Sequence, residues 1–307
     1  MSANSAQLQQ AAVLAERQAP PRSPARMAFD RLKRSRLAMI GLIIFGAMVI
    51  LALLSPWIAP YDPKRPDLFN LKASPGADHW LGTDALGRDV LSRLLVGGRY
   101  SLGIGIAAAL ISSLLGLVAG AIAGFQGGVI DGVLMRFVDL MLAFPSIFLL
   151  LIIASMLEGI SVAGIILFLG LFSWMWLARL VRGEFLSLKR REFAEAARAI
   201  GAPGWHIMVR HLLPNAIGVI IVSFTLDIAL FMLAEASLSF LGFGVKSGTP
   251  TWGNMLSDAR TDYLTTPMLA VIPGLTLTIA VLAINFVGDG LRDAFDPRGR
   301  AAGRAGK

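Results

Sequence analysis

Long apolar runs alternate along the chain with shorter polar stretches. Six of the runs reach the roughly 20 residues that a membrane-spanning helix requires. They cover about 37–59, 101–124, 134–156, 160–178, 216–242 and 268–291. The first, Leu37 to Ala59, holds no charged residue. The 36-residue polar stretch before it is too long a lead for an ordinary signal peptide, so the run reads as an uncleaved anchor. The pattern predicts an all-α membrane protein with six transmembrane helices.

Composition agrees with that class. Of 307 residues, 55% are hydrophobic and 16% charged, whereas a soluble domain carries about 25% charged residues. There is no cysteine, which removes disulfides, zinc–thiolate sites and cysteine nucleophiles. Lys and Arg total 28 against 20 Asp and Glu, a net charge of +8. Nucleic acid would be one explanation. Gathering of Lys and Arg on cytoplasmic loops is the better one in a chain with this many spans. With both termini inside, 20 of the 28 basic residues fall on inside segments and 8 outside. Residues 60–100 and 243–267 are then external, and the loop Arg179–Pro214 is cytoplasmic. Residues 1–28 and 296–307 lack apolar periodicity and read as disordered tails.

The external segment contains Pro60, Pro63, Pro66 and Pro75, so its first part is irregular. Val90, Leu91, Leu94 and Leu95 then follow at helical spacing, with Arg88, Asp89, Ser92 and Arg93 on the other face. This predicts a short interfacial helix, with Gly97 and Gly98 allowing a turn into the second span. The helix reads equally as a contact for an external partner or as a surface anchor. Gly116, Gly120 and Gly124 form a small-xxx-small seam, expected to pack within the subunit. Pro145 and Pro273 remove backbone donors inside spans, which marks kinks and, in some cases, a pathway.

Acidic residues inside spans are costly and face the bundle interior or water. Asp139, Asp227, Glu235 and Asp289 qualify. Asp227 and Glu235 are eight residues apart, about 80° around a helix. With Pro145 they are candidates for a polar pathway, the alternative being pairing with a neighbouring span.

The most patterned polar stretch lies between the fourth and fifth spans, at 185–214. Phe193, Ala196, Ala197 and Ile200 form one apolar face, with Glu195 and Arg198 opposite. Gly201 to Gly204 break the helix, Trp205, Met208, Val209 and Leu212 form a second face, and Pro214 opens the fifth span. Two amphipathic helices about a glycine hinge suit docking to another protein; packing on the bundle itself is the alternative. There is no G-x-x-x-x-G-K-[ST] and no H-E-x-x-H, and His79, His206 and His211 lack metal-ligand spacing. Neither ATP hydrolysis nor metal chemistry is expected of this chain, and no enzyme-like cluster emerges.

Glu195-Ala196-Ala197, three residues, Gly201, and then Leu213-Pro214 resemble the EAA motif of ABC importer permeases. His211 stands where the general pattern has an aliphatic residue, and a His-x-Leu-Pro ending is usual in the peptide/nickel branch. LGTDALGRDVLSRLL, AEASLSFLGFG, TPTWGNML and NFVGDGLRDAFDPR are similar to that branch too, so the likeness runs from about residue 30 to 298. It looks most like the C-type subunit of dipeptide/oligopeptide permeases. The resemblance implies the type I importer (MetI-like) fold. It divides the chain into a tail at 1–36, a first span at 37–59, an external segment at 60–100, a permease domain at 101–291 and a tail at 292–307. It implies a second permease chain, two ATP-binding subunits holding ATP and Mg, and an external substrate-binding protein. The EAA loop would be the coupling element that fits the ATPase. Peptide is the implied substrate, with nickel-chelate, glutathione or opine as alternatives. An ion-coupled secondary transporter is more remote, since no internal repeat is detected.

Overall fold

The structure is a computed structural model and describes residues 30–156, 159–246 and 248–295. The two tails expected at 1–28 and 296–307 lie outside the described residues. Everything regular in the described residues is helical, apart from isolated bridges. Helix α1 spans Arg36–Ile58 and starts at Ser35, whose hydroxyl accepts from the Ala38 amide. Only a stripe of α1 is buried, including Ala38, Gly41, Phe45 and Ala52, while Leu37, Ile43, Leu53 and Trp57 point outward. An apolar face turned away from the protein suits a hydrocarbon surround.

Helix α2 spans Val90–Gln126 without interruption, capped by Asp89, whose carboxylate accepts from the Ser92 amide at 2.7 Å. The separate interfacial helix and the turn at Gly97–Gly98 are therefore not formed. The two glycines lie buried within α2, where the Trp252 ring packs against them, and the Trp252 indole N–H donates to the Leu94 carbonyl at 3.0 Å. They serve close approach rather than chain reversal. The predicted third span is two helices, α3 at Gly128–Leu142 and α4 at Ser146–Ser155. The break falls at Pro145, which lacks an N–H and disfavours helical backbone in the residue before it.

Helix α5 spans Val162–Leu188 and α6 spans Glu192–Ala199. Helix α7 runs Gly204–Phe240, α8 Trp252–Asp258 and α9 Met268–Phe295. Five of these, α1, α2, α5, α7 and α9, are long and apolar enough to cross a membrane. Pro273 is accommodated inside α9.

The glycine seam packs within the chain, as its spacing predicts. Gly116, Gly120 and Gly124 meet Trp174, Ala178 and Arg182 of α5 in the same order, so α2 and α5 run parallel. A Cβ at Gly120 would stand 2.5 Å from the Ala178 carbonyl oxygen. Only glycine permits this approach. Helix α2 also packs on α1 and α7, α7 packs on α5, α8 and α9 as well, and α9 joins α1 to α7, so α2 and α7 form the centre of the bundle.

Candidate functional site

Helix α6 ends where the sequence requires it to end. Gly201 has φ 79°, in the left-handed region. Its amide donates to the Arg198 carbonyl at 2.9 Å, and the Ala202 amide donates to Ala197 at 3.1 Å. Those two bonds make a Schellman cap, which satisfies carbonyls that the helix end leaves open. A side chain at 201 would meet no neighbour within 4 Å, so the constraint is backbone conformation and not space.

The face that α6 buries differs from the one its periodicity suggests. Ala194 and Ala197 are buried against Phe185, Leu188, Ile207 and Leu212, whereas Ala196 is exposed and Ile200 is 85% exposed. Two small residues three apart let α6 lie close to the bundle, and the larger apolar side chains are turned away. The next segment repeats the inversion: Ile207 and Leu212 are buried, while Trp205 is 67% exposed and Val209 is exposed. The cause is a π-helical stretch, Ile207–Leu212, in the first part of α7. Its i→i+5 bonding stacks residues five apart, so counting by 3.6 misassigns the face. Leu213 and Pro214 follow at the start of the α-helical part, Leu213–Phe240. In a regular α-helix the Pro214 ring would press on the carbonyl four residues back; the widened turn precedes it. The two loop helices are thus not equivalent: α6 is separate, and the second is continuous with the fifth predicted span.

Glu195 is exposed on α6, and Arg198 donates to the Lys189 carbonyl at 2.9 Å. The Lys189 ammonium donates to the Phe125 carbonyl at the end of α2 and lies 5.4 Å from the Phe125 ring centre. A cation at a helix C-terminus complements the dipole. His206 and His211 stand with ring centres 5.7 Å apart, and His79 lies elsewhere, with Nδ1 2.9 Å from Asp89.

The intramembrane acids separate into different roles. Glu235 is fully buried, and its Oε1 accepts from the Ser239 and Thr251 hydroxyls at 2.8 Å each. It fastens α7 to the N-terminus of α8 and is enclosed within the chain. Asp227 is half-buried and makes no hydrogen bond or ion pair among the described residues. Asp139 pairs with Arg179, and Asp131, which the sequence reading did not single out, accepts a fork from Arg182. Asp289 is exposed, and Pro145 marks the α3–α4 break.

At the Val90 end of α2, the face that carries Arg88, Asp89, Ser92 and Arg93 is buried. Arg88 and Arg93 are 7% and 2% exposed, and each pairs with both Asp84 and Asp258. Arg88 Nη2 and Arg93 Nη2 both reach Asp258 Oδ2 at 2.8 Å. The quartet joins residues 84–93 to the end of α8. Asp258 lies 165 positions from Arg93 along the chain, and no local spacing could link them. Nearby, the Asn70 side chain and the Phe69 amide hold the Asp67 carboxyl below the usual carboxylate range. That turn presents Phe69 almost fully exposed.

Residues 116–301 match the family described as "Binding-protein-dependent transport system inner membrane component". Residues 23–75 match "N-terminal TM domain of oligopeptide transport permease C". The chain is 41% identical over 278 residues to the glutathione transport system permease protein GsiD of Escherichia coli O6:K15:H31 (strain 536 / UPEC), covering 90% of this chain and 91% of that one. It is 42% identical over 278 residues to GsiD of Shigella boydii serotype 4 (strain Sb227), with the same coverage. A protein of Brucella suis biovar 1 (strain 1330), provisionally named a peptide permease protein, is 41% identical over 277 residues, covering 90% of this chain and 91% of that one.

Proposed function

The chain belongs to the family of binding-protein-dependent transport system inner membrane components, and we propose that its exposed loop 185–214 is the element through which partner ATPases drive it. It is a multi-pass membrane protein, an ABC importer permease of the oligopeptide and glutathione type. The finer reading is a C-type subunit paired with a second, different permease chain. Two ATP-binding subunits carry ATP and Mg, and an external binding protein delivers substrate. This chain supplies passage and no hydrolytic site of its own.

The observation that carries the coupling role is the inverted loop. Ile200, Trp205 and Val209 face outward beside Glu195, while Ala194 and Ala197 face in. Large apolar side chains surrounded by charge mark a protein interaction surface. The surface includes part of the stretch Glu195, Ala196, Ala197, Gly201, Leu213 and Pro214 that resembles the EAA motif.

Topology follows from the same reading. The α3–α4 pair crosses the membrane as one broken span, which makes six, with both termini and the loop cytoplasmic. On that reading the chain divides at 1–36, 37–59, 60–100, 101–291 and 292–307, with helix α2, Val90–Gln126, running through the boundary at 100. Of the candidate pathway set, which also includes Pro145, Asp227 is the acid left to meet a substrate ammonium. Peptide, glutathione included, is the substrate class; nickel-chelate and opine are the competing cargoes.

Gly201→Val and Glu195→Ala are the direct test. Both variants should insert and pair with the sister permease, yet retain less ATPase on purification or hydrolyse ATP without uptake. Normal uptake by both would remove the coupling role from this loop. Degradation of both, with nothing left to purify, would assign the residues to loop stability instead.

A further inference from the structure

The coupling loop and the charge quartet lie at opposite ends of one helix. Helix α2 has 37 residues and no internal proline, so it is about 55 Å long at 1.5 Å per residue. Its Gln126 end is held to the loop: Lys189 donates to the Phe125 carbonyl, and the Phe125 ring lies 3.1 Å from where a Cβ on Gly204 would stand. Along its length the Gly116, Gly120 and Gly124 seam joins it to α5, which leads directly into the loop. Its Val90 end is held to α8 in two places. Trp252 sits over Gly97 and Gly98 and accepts position from Ser101, whose hydroxyl takes the Trp252 amide at 3.0 Å. The quartet of Asp84, Arg88, Arg93 and Asp258 is the second link. From α8 the connection continues through Thr251 to Glu235 of α7.

Two guanidinium groups buried between two carboxylates are a poor choice for stability alone, because well-packed apolar residues serve at least as well. Here a cavity of about 20 Å³ borders the quartet, and Arg93 Nε has no hydrogen-bond partner among the described residues. What such a group does supply is directional placement, since each guanidinium fork donates to carboxylates only in its own plane. We propose that α2 and α5 act as a single lever. Asp84, Arg88, Arg93 and Asp258 are positioning residues at its outer end, passing displacement of the loop to α8 and so to the outer end of α7. This rests on the reading of the loop as the ATPase contact. Asp258 is the member to alter, because its side chain is 40% exposed while the other three are nearly enclosed.

The absence of native cysteine makes the test clean. Spin labels are placed at Leu86→Cys and Arg260→Cys, exposed positions on either side of the quartet. The importer is assembled in nanodiscs from this chain, its sister permease and the two ATPases. The pair distance is measured without nucleotide and after trapping with ATP and vanadate. The expected wild-type result is one narrow distance, unchanged by trapping, because the two segments travel together. In Asp258→Asn the distance should broaden and shift on trapping, and uptake of labelled dipeptide or glutathione should fall about five-fold or more. The ATPases should still co-purify, and Asp258→Glu should restore both readouts. A narrow, unmoving distance in Asp258→Asn, or normal uptake, overturns the proposal. So does equal loss of abundance in Asp258→Asn and Asp258→Glu, which would make the quartet purely structural. If instead Gly201→Val and Glu195→Ala transport normally, it is the loop reading that fails, and the label distances remain a separate measurement.

Discussion

At the scale of single residues, burial and backbone angle decide roles that chemistry alone leaves open. Glu235 looks like a pathway acid by type and depth, but both hydroxyls that bond its Oε1 hold it inside the subunit. Glu235→Gln keeps an acceptor for Ser239 and Thr251 and should preserve uptake. Glu235→Ala removes the acceptor of both hydroxyl protons and should lower stability by about 1–3 kcal/mol, read as thermal unfolding in detergent. Loss of uptake by an abundant, stable Glu235→Gln would return this residue to the pathway. Gly201 is decided by angle. Any L side chain there carries a left-handed penalty of about 1–2 kcal/mol, so Gly201→Ala should speed amide exchange at Ala202 by roughly 5–30-fold. Unchanged exchange would mean that the cap does not depend on the glycine.

Among elements, the long apolar runs and the small-residue seam are legible in sequence because both are local. Gly116, Gly120 and Gly124 announce a close helix contact by spacing, and they make one with α5. What is not legible is which element supplies the other side. Gly97 and Gly98 look like a turn until Trp252, 154 positions after Gly98, is seen to fill the notch they leave. Arg88 and Arg93 look solvated until Asp258 arrives from the far side of the chain. The second loop face fails for a different reason: a π turn changes the period, and nothing in the spacing of Trp205, Met208, Val209 and Leu212 reveals it. The seam makes its own prediction. Gly120→Leu should force α2 from α5 and sharply lower membrane abundance. Gly132→Ala, on an exposed helical face with no atom near the added methyl, should be neutral or stabilise by up to ~1 kcal/mol. Equal thermal stability of the two variants would show that the seam carries no packing energy.

For the whole molecule, the expected orientation can be read from two positions. Single cysteines replacing Phe69 and Gly201 should label with impermeant maleimide in intact cells at 69 and not at 201. Labelling at 201 from outside would invert the topology. The purified chain in lipid should hydrolyse no ATP, and hydrolysis by a rigorously pure preparation would contradict its place as a permease subunit. The π turn at Ile207–Leu212 also sets the direction in which the exposed loop side chains face. It sits between the loop and the α-helical length of α7, and so acts as a phase offset between two parts of one rotating object. Deleting a single residue there, and restoring the ordinary helical register, would swing everything upstream by about 100° and draw it in by about 1.5 Å. Trp205 would then point to a different compass bearing, with its composition untouched. The azimuth that the loop would offer to a partner is therefore written in one residue of length, not in the identity of the residues it presents.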